Sequence, residues 1–457
     1  MRIHFIAIGG AAMHNLAIAL HQKGYQVTGS DDEIFEPSRG RLQKQGLLPA
    51  QSGWFPEQIH AGIDVIILGM HARQDNPELL EAQQLGLKIY SYPEFLYEQT
   101  REKLRVVIGG SHGKTTVTSM IMHVLNYHRI DFDYMVGAQI EGFETMVRLN
   151  NSSKIAIFEG DEYLSSPIDR RPKLHWFRPQ IGLITGIAWD HINVFPTFEN
   201  YVEQFAIFAS QIPENGTLVW YAGDKELENI VAQNHSRVNC IPYSEHRSIT
   251  SNNDTYLVTD NGNVRIGVFG KHNLQNISGA KIICNQLGIS DQQFIEAIVS
   301  FKGAARRLEV LVATENTTVY RDFAHSPSKL KATTEAVKSQ FPDRKLLACM
   351  ELHTFSSLQK DFLPHYSGSM NKADRAIVFF DPHTISHKKL EAITPEMVKA
   401  GFNRPDLEVY TDSDKLFDEL RKVDWKDTNL LLMSSGTYSG KDLPAFAVEI
   451  TTRGKRE

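Results

Sequence analysis

The chain has 457 residues, and at roughly 100 to 200 residues per domain this length predicts about two to four domains. Its residues are 42% hydrophobic and 22% charged with no low-complexity tract, which excludes a disordered or fibrous chain. Forty-eight Lys and Arg against 54 Asp and Glu give a net charge of -6, so there is no basic excess to hold nucleic acid as the main partner.

At the start, IHFIAI turns at Gly9 and Gly10 and runs into MHNLAIALHQKGY, whose apolar spacing and closing Gly24 predict a helix. His4, His14 and Asn15 interrupt any signal-peptide core, and no run reaches a membrane span. Cys240, Cys284 and Cys349 form no CxxC pair, which argues against a disulfide framework or a thiolate zinc site. The expectation is a cytoplasmic protein with no membrane partner. VTGSDDE reads as a second strand ending in acids, and VIILGM with PELLEAQQLG continues the alternation of a parallel sheet flanked by helices.

A second region opens with LRVVIGGSHGKTT and contains IAIFEGDE and IGLITGIAWDH, apolar strands with polar ends. Ligands in open α/β sheets bind beyond the carboxyl ends of strands, so these ends should converge. Residues 216 to 270 read as short strands and turns, and GKHNLQNISGAKIICNQLG returns to helix. A third region starts near FKGAARRLEVL and alternates VYRDFAHSPSKLKATTEAVK, KLLACMEL, RAIVFF and NLLLMSSGTYSG. The expected fold is α/β in three domains, 1–101, 102–304 and 305–457. The outer two read as Rossmann-like and the central one as a P-loop ATPase.

The strongest local signal is GGSHGKTT. Gly110 and Gly113 let backbone N–H groups point at phosphate oxygens, Lys114 supplies charge, and Thr115 is a magnesium ligand type. Ile108 stands where the general P-loop has its first Gly, leaving the shorter G-x-x-G-K-T-T. Magnesium needs carboxylate oxygens, and Glu159, Asp161 and Glu162 end one strand while Asp190 and His191 end the next. In AIGGAAM, Ala7 and Ala12 replace the outer glycines of the dinucleotide fingerprint, and Asp31 follows 22 residues after Gly9, near the spacing of a ribose-binding acid. Of eighteen histidines, His191, His272, His325 and His353 sit in polar junctions, and His71 is a candidate for the first domain's ligand.

In this order the motifs resemble the Mur ligase family: AIGGAAM with GSD, GSHGKTT, EGDE, DH at 190 and 191, GKHNLQN, KGAARRLE and DFAHSP. The resemblance implies an ATP- and magnesium-dependent ligase of cell-wall synthesis, acting on UDP-N-acetylmuramate and an amino component, as a monomer or weak homodimer. It implies ATP on Gly110, Ser111, His112, Gly113, Lys114, Thr115 and Thr116, with His272 and Asn273 near adenine, Asp322 on the ribose, and Arg307 and His325 toward the phosphates. It further implies magnesium on Thr115, Glu159 and His191, and catalytic roles for Lys114, Glu159, His191 and Arg307. Gly9, Gly10, Ser30, Asp31 and His71 look like the UDP-sugar set, and His353 and Thr354 the amino-substrate set.

Two departures stand out. Gly186 and Ala188 occupy positions where the family pattern N-x-E-x-D-H has an Asn and an acid, so any role of those side chains is absent or supplied elsewhere. L-Alanine-adding members carry H-R-Y-T-R-T in the third domain, whereas this chain has HTFSSL, with Thr354 and Ser357 in place of arginines. The expected amino component is therefore the peptide L-alanyl-γ-D-glutamyl-meso-diaminopimelate, used in recycling wall peptide, with L-alanine the alternative. His191, His353 and Glu351 are all open as the base for the amine. A nicotinamide oxidoreductase would use Gly9 and Asp31 but leave GSHGKTT, EGDE and DFAH idle. A non-catalytic ATP-binding regulator finds its support in Gly186 and Ala188.

Overall fold

The computed structural model describes residues 1–453. The chain forms two compact units, one made of residues 1–189, 196–244 and 279–297, the other of 190–195, 245–278 and 298 onward. The fold is α/β, dominated by parallel sheets.

In the first unit, four parallel strands lie in the order Gln26–Ser30, Arg2–Ile6, Val65–Leu68, Ile89–Ser91. Val65 to Leu68 are all buried, as a strand covered on both faces requires, which is why the segment reads as an unbroken apolar run. Helix Ala11–Gln22 follows the first strand. Asn76 caps helix Pro77–Gln84 by accepting from the Glu78 and Leu79 N–H groups, and a Ser91/Glu94 capping box starts helix Tyr92–Thr100.

The same unit holds a seven-stranded sheet in the order Asn239–Tyr243, Thr217–Tyr221, Ile181–Ile184, Leu104–Gly109, Ile155–Glu159, Asp133–Met135, Val147–Arg148. All pairings are parallel except that of the short Val147–Arg148 edge strand. After Leu104–Gly109 the chain builds outward through Asp133–Met135, and after Ile155–Glu159 it crosses to the opposite side. The order therefore reverses beside Leu104–Gly109, and its carboxyl end is a topological switch point, where such sheets leave a ligand crevice. TLVWY and NCIPY, within the stretch expected as short strands and turns, extend this sheet because helix Lys225–Asn234 connects them as a crossover, burying Leu227 and Ile230.

The second unit contains the antiparallel strands Ser248–Ser251, Asp254–Thr259 and Gly262–Ile266. It also holds a six-stranded sheet ordered Glu309–Ala313, Thr318–Asp322, Thr428–Met433, Lys345–Leu352, Arg375–Phe380, Glu408–Tyr410. Only its Glu309–Ala313 edge is antiparallel. Along Lys345–Leu352, Ala348, Met350 and Leu352 enter one core while Leu347 and Cys349 enter the other, the two-residue period of a sheet buried on both faces.

Phe379 is 1% exposed and stacks on Tyr438 with ring centroids 6.0 Å apart. Phe379→Ala is expected to destabilise the second unit by ~3–5 kcal/mol, read as a lower urea midpoint at an unchanged slope.

Candidate active site

The switch point carries the glycine-rich loop. Gly110 has φ +120°, and a Cβ there would lie 2.1 Å from Thr185 Oγ1, so only glycine lets the loop approach the neighbouring strand end. The Ser111 N–H donates to the Gly186 carbonyl at 2.9 Å. Gly113, at φ +78°, turns the chain into helix Lys114–Tyr127, whose first turn presents Lys114, Thr115 and Thr116. Strand, loop and helix N-terminus thus bring these residues to one strand end, an arrangement in which backbone N–H groups and a helix dipole can meet an anion. Thr185 Oγ1 also donates to the His112 carbonyl.

The three acids of EGDE separate into three tasks. Glu159 accepts from Thr115 Oγ1 at 2.8 Å and from the Gly137 N–H at 2.6 Å. A Cβ on Gly137 would sit 2.9 Å from Glu159 Oε1, so that approach also needs glycine. Glu162 accepts from Lys114 Nζ at 2.6 Å through Oε2 and from the Tyr201 hydroxyl at 3.0 Å through Oε1. Asp161 turns instead to Lys173, 2.6 Å away. Lys114 Nζ also donates to the Gly110 carbonyl at 2.6 Å. Burial works against the Lys114 charge, but Glu162, followed by Asp161 and Glu159, outweighs it and raises the ammonium pKa above its ordinary value.

Sequence reasoning missed Tyr201. It lies in the apolar pattern of helix Phe198–Ser210, where an aromatic reads as core, and its ring is indeed fully buried. Its hydroxyl is 2.9 Å from Ser111 Oγ, which accepts from the Ala188 N–H at 2.8 Å. Gly186, at φ +136°, and Ala188 therefore meet the loop through their backbones. Nearby, the Ile187 N–H donates to Asp224 Oδ2 at 2.6 Å.

At the carboxyl ends of strands Arg2–Ile6 and Gln26–Ser30, the Gly9 N–H donates to Asp31 Oδ2 at 2.7 Å, and a Gly9 Cβ would lie 2.9 Å from that oxygen. Ala7 adopts φ +69° in this turn. Burial, partly offset by the Gly9 bond, raises the Asp31 pKa to about 6. A Gly10 Cβ would lie 3.7 Å from His71 Cδ2, and His71 is exposed. Ser30 is placed in a buried network, donating to Glu78 Oε1 at 2.5 Å and lying 3.1 Å from His4 Nε2.

The second unit gathers another set. Asp322 accepts from the Leu308 and Ala324 N–H groups, each at 2.6 Å, while burial raises its pKa. The Arg307 guanidinium lies 4.6 Å over the Phe323 ring. His325 Nδ1 is 2.8 Å from the Phe323 carbonyl, its Nε2 is 3.9 Å from Asp190 Oδ2, and burial lowers its pKa to about 3. Lys329, unforeseen from sequence, donates to Asp190 Oδ2 at 3.2 Å. Burial opposes the charge on Asp190, yet Lys329, His191 and His325 outweigh it and push its pKa far below the carboxylate range. His191 adopts φ +55° beside it. Asn273 is buried and donates to the Phe269 carbonyl at 2.9 Å, and burial lowers the His272 pKa to about 4.

In the 353–358 segment, His353 Nδ1 lies 3.8 Å from Glu351 Oε1. Ser357 is fully buried, its hydroxyl donating to the Thr354 carbonyl at 3.0 Å and its N–H to Thr354 Oγ1 at 3.2 Å. The Thr115 hydroxyl and Glu159 carboxylate, side by side at the loop, are the hard oxygen donors that magnesium takes. No group of three or more His, Cys, Asp or Glu able to hold a metal occurs among the described residues.

A phosphate-cradling loop at the switch point, with a buried lysine and a carboxylate on the loop threonine, defines an α/β enzyme that uses a nucleoside triphosphate. Three domain descriptions match in order: "Mur ligase family, catalytic domain" over residues 2–103, "Mur ligase middle domain" over 108–284 and "Mur ligase, glutamate ligase domain" over 306–436. The chain is 32% identical over 405 residues to the UDP-N-acetylmuramate–L-alanine ligase of Caldicellulosiruptor bescii, covering 86% of each chain. Seven further curated relatives, 27–32% identical, carry the same name. The crystal structure of UDP-N-acetylmuramate-alanine ligase from Thermotoga maritima shares the fold, with TM-score 0.72 and 19% identity over 100% of this chain and 99% of that one. That of UDP-N-acetylmuramate:L-alanyl-γ-D-glutamyl-meso-diaminopimelate ligase from Neisseria meningitides aligns with TM-score 0.60 and 25% identity, over 66% of this chain and 98% of that one. The chain belongs to the Mur ligase family, the ATP-dependent ligases of peptidoglycan synthesis. No helix among the described residues is long and apolar enough to cross a membrane.

Lys114→Ala is expected to abolish ATP-dependent ligation, read as phosphate release; release near the wild-type rate would contradict the site. His325 generates a pH prediction. Its folded pKa, about 3, lies below the unfolded value near 6.5, so the unfolded chain binds more protons between these limits and stability rises with pH there. Acidification from pH 7 to 5 should therefore cost roughly 2 kcal/mol through this residue, a dependence that His325→Gln removes in urea unfolding at the two pH values.

Proposed function

We propose that the chain joins the lactyl carboxylate of UDP-N-acetylmuramate to an amine, with ATP hydrolysed to ADP and phosphate. The observation that carries this reading is the loop geometry, with Lys114 and Thr115 at a helix N-terminus and Glu159 bonded to Thr115. Residues 1–101 are assigned to the UDP sugar, through Gly9, Gly10, Ser30, Asp31 and His71. Residues 102–304 are assigned to ATP, and 305–457 to the amino component and the nucleotide. His272 and Asn273 are assigned to adenine, Asp322 to ribose, and Arg307 with His325 to phosphate.

In the proposed reaction, a carboxylate oxygen attacks the terminal phosphorus and ADP leaves, giving an acyl phosphate. The amine nitrogen then attacks the carbonyl carbon, gives up a proton, and the tetrahedral adduct collapses with loss of phosphate. Phosphoryl transfer needs positioning and charge neutralisation more than covalent help. Lys114 and Arg307 supply fixed positive charge, and the loop N–H groups orient phosphate oxygens. Magnesium held by Thr115 and Glu159, with a second ion held by His191, would add charge neutralisation at the phosphates.

Two amino components are proposed, in this order. L-Alanine has the better support from comparison, since the curated relatives at up to 32% identity are named L-alanine ligases. The peptide L-alanyl-γ-D-glutamyl-meso-diaminopimelate, expected from the sequence, rests on the HTFSSL segment. There Thr354 and the buried, internally bonded Ser357 leave no arginine side chain where the L-alanine-adding pattern has two. The Neisseria peptide ligase, at 25% identity, supports the same reading.

Phosphate release with ATP and UDP-N-acetylmuramate, measured in parallel with L-alanine, the dipeptide and the tripeptide, tests both. Release that requires the muramate and one amine is expected. A preference for L-alanine removes the peptide reading, a preference for tripeptide removes the other, and release independent of all amines removes the ligase itself.

A further inference from the structure

The hydrogen bonds joining Ala188, Ser111, Tyr201, Glu162 and Lys114 run in one direction. The Glu162 carboxylate can only accept, so the Tyr201 hydroxyl donates to its Oε1 at 3.0 Å. With that proton used, Ser111 Oγ donates to Tyr201 across 2.9 Å, and the Ser111 oxygen in turn accepts from the Ala188 N–H at 2.8 Å. Lys114 Nζ holds the other carboxylate oxygen at 2.6 Å. Glu162 is 1% and the Lys114 side chain 13% exposed, so the carboxylate has no bulk water to share its charge and the ammonium has little.

We propose that Tyr201 is a positioning residue that governs how firmly Glu162 holds Lys114, and so how readily Lys114 serves ATP phosphate; this rests on the ATP-dependent ligase reading above. Hydrogen bonds in a chain polarise one another, so each donor upstream strengthens the Tyr201 bond to Oε1 and draws carboxylate charge away from the ammonium. Without the hydroxyl, Oε1 would lose the donor it has at 3.0 Å, and more of the compensation of the carboxylate charge would fall on Lys114. Sharing that ammonium with a phosphate would then cost more. The relay also supplies, through Ser111 and a tyrosine from another helix, polar contacts to the 186–188 segment, whose own side chains provide none. Tyr201 acts on ATP through Lys114 and does not act on the UDP sugar.

Tyr201→Phe removes the hydroxyl and keeps the ring, which packs edge-on against Phe205 at 5.2 Å. The expected result is a KM for ATP raised about tenfold, with kcat and the KM for UDP-N-acetylmuramate within about twofold of wild type. Ser111→Ala should shift the KM for ATP in the same direction, and the double variant should be no worse than about twofold beyond Tyr201→Phe, because both act in one chain. An unchanged KM for ATP overturns the proposal, as do effects that multiply in the double variant. A uniform loss in kcat and both KM values with a lowered Tm is the behaviour of a merely structural tyrosine and overturns it too. If Tyr201→Phe does not fold, Ser111→Ala decides, and an unchanged KM for ATP again overturns the relay. Calorimetric ADP binding to the same proteins keeps the two ideas apart. Wild-type protein that binds ADP but never releases phosphate fails as a ligase, while the affinity ratios still decide the relay.

Discussion

The first unit's site is organised around the cost of burying one ammonium group. Lys114 sits at a helix N-terminus, where the dipole disfavours a cation, and it has little water around it. Only a carboxylate at hydrogen-bond distance makes this tolerable, and Glu162 supplies it. A carboxylate buried this deeply needs its second oxygen satisfied as well, which brings in Tyr201 and with it helix Phe198–Ser210. The loop's positive charge is thereby held in place before any phosphate arrives, so binding energy is not spent ordering it.

Close backbone approach is the second constraint on the first unit. Gly110 touches the Thr185 strand end, Gly137 admits the Glu159 carboxylate, and Gly9 admits Asp31. At each place a methyl group would fall within 3 Å of an oxygen, so the glycines set the distances at which the polar groups meet. The same economy explains Gly186 and Ala188. Their carbonyl and N–H groups bond Ser111 from both sides, so the segment stays tied to the phosphate loop although its side chains contribute nothing polar.

Much of this was legible in the sequence, for identifiable reasons. A strand ending in GGSHGKTT is read directly because phosphate binding demands glycine, lysine and threonine at fixed offsets. The alternation of strands and helices was equally plain, since strands covered on both faces are unbroken apolar runs. TLVWY and NCIPY were harder, because nothing in a short strand states which sheet it joins. The acids of EGDE looked equivalent along the chain, yet Glu159 faces Thr115, Glu162 faces Lys114 and Asp161 faces Lys173. Tyr201 and Lys329 were invisible because each is an ordinary residue on a helix, distinguished only by what the fold sets beside it.

The sequence by itself determined the α/β class, the phosphate loop and its strand and helix, and the ordered motifs of the Mur ligases, because these depend on local spacing and residue chemistry. Tertiary structure decided the rest: which acid serves which cation, how Gly186 and Ala188 meet the loop through their backbones, and the place of Tyr201 in the lysine's surroundings. Those partners lie tens of residues apart, and only the crossing of strands at the switch point brings their atoms within hydrogen-bond distance.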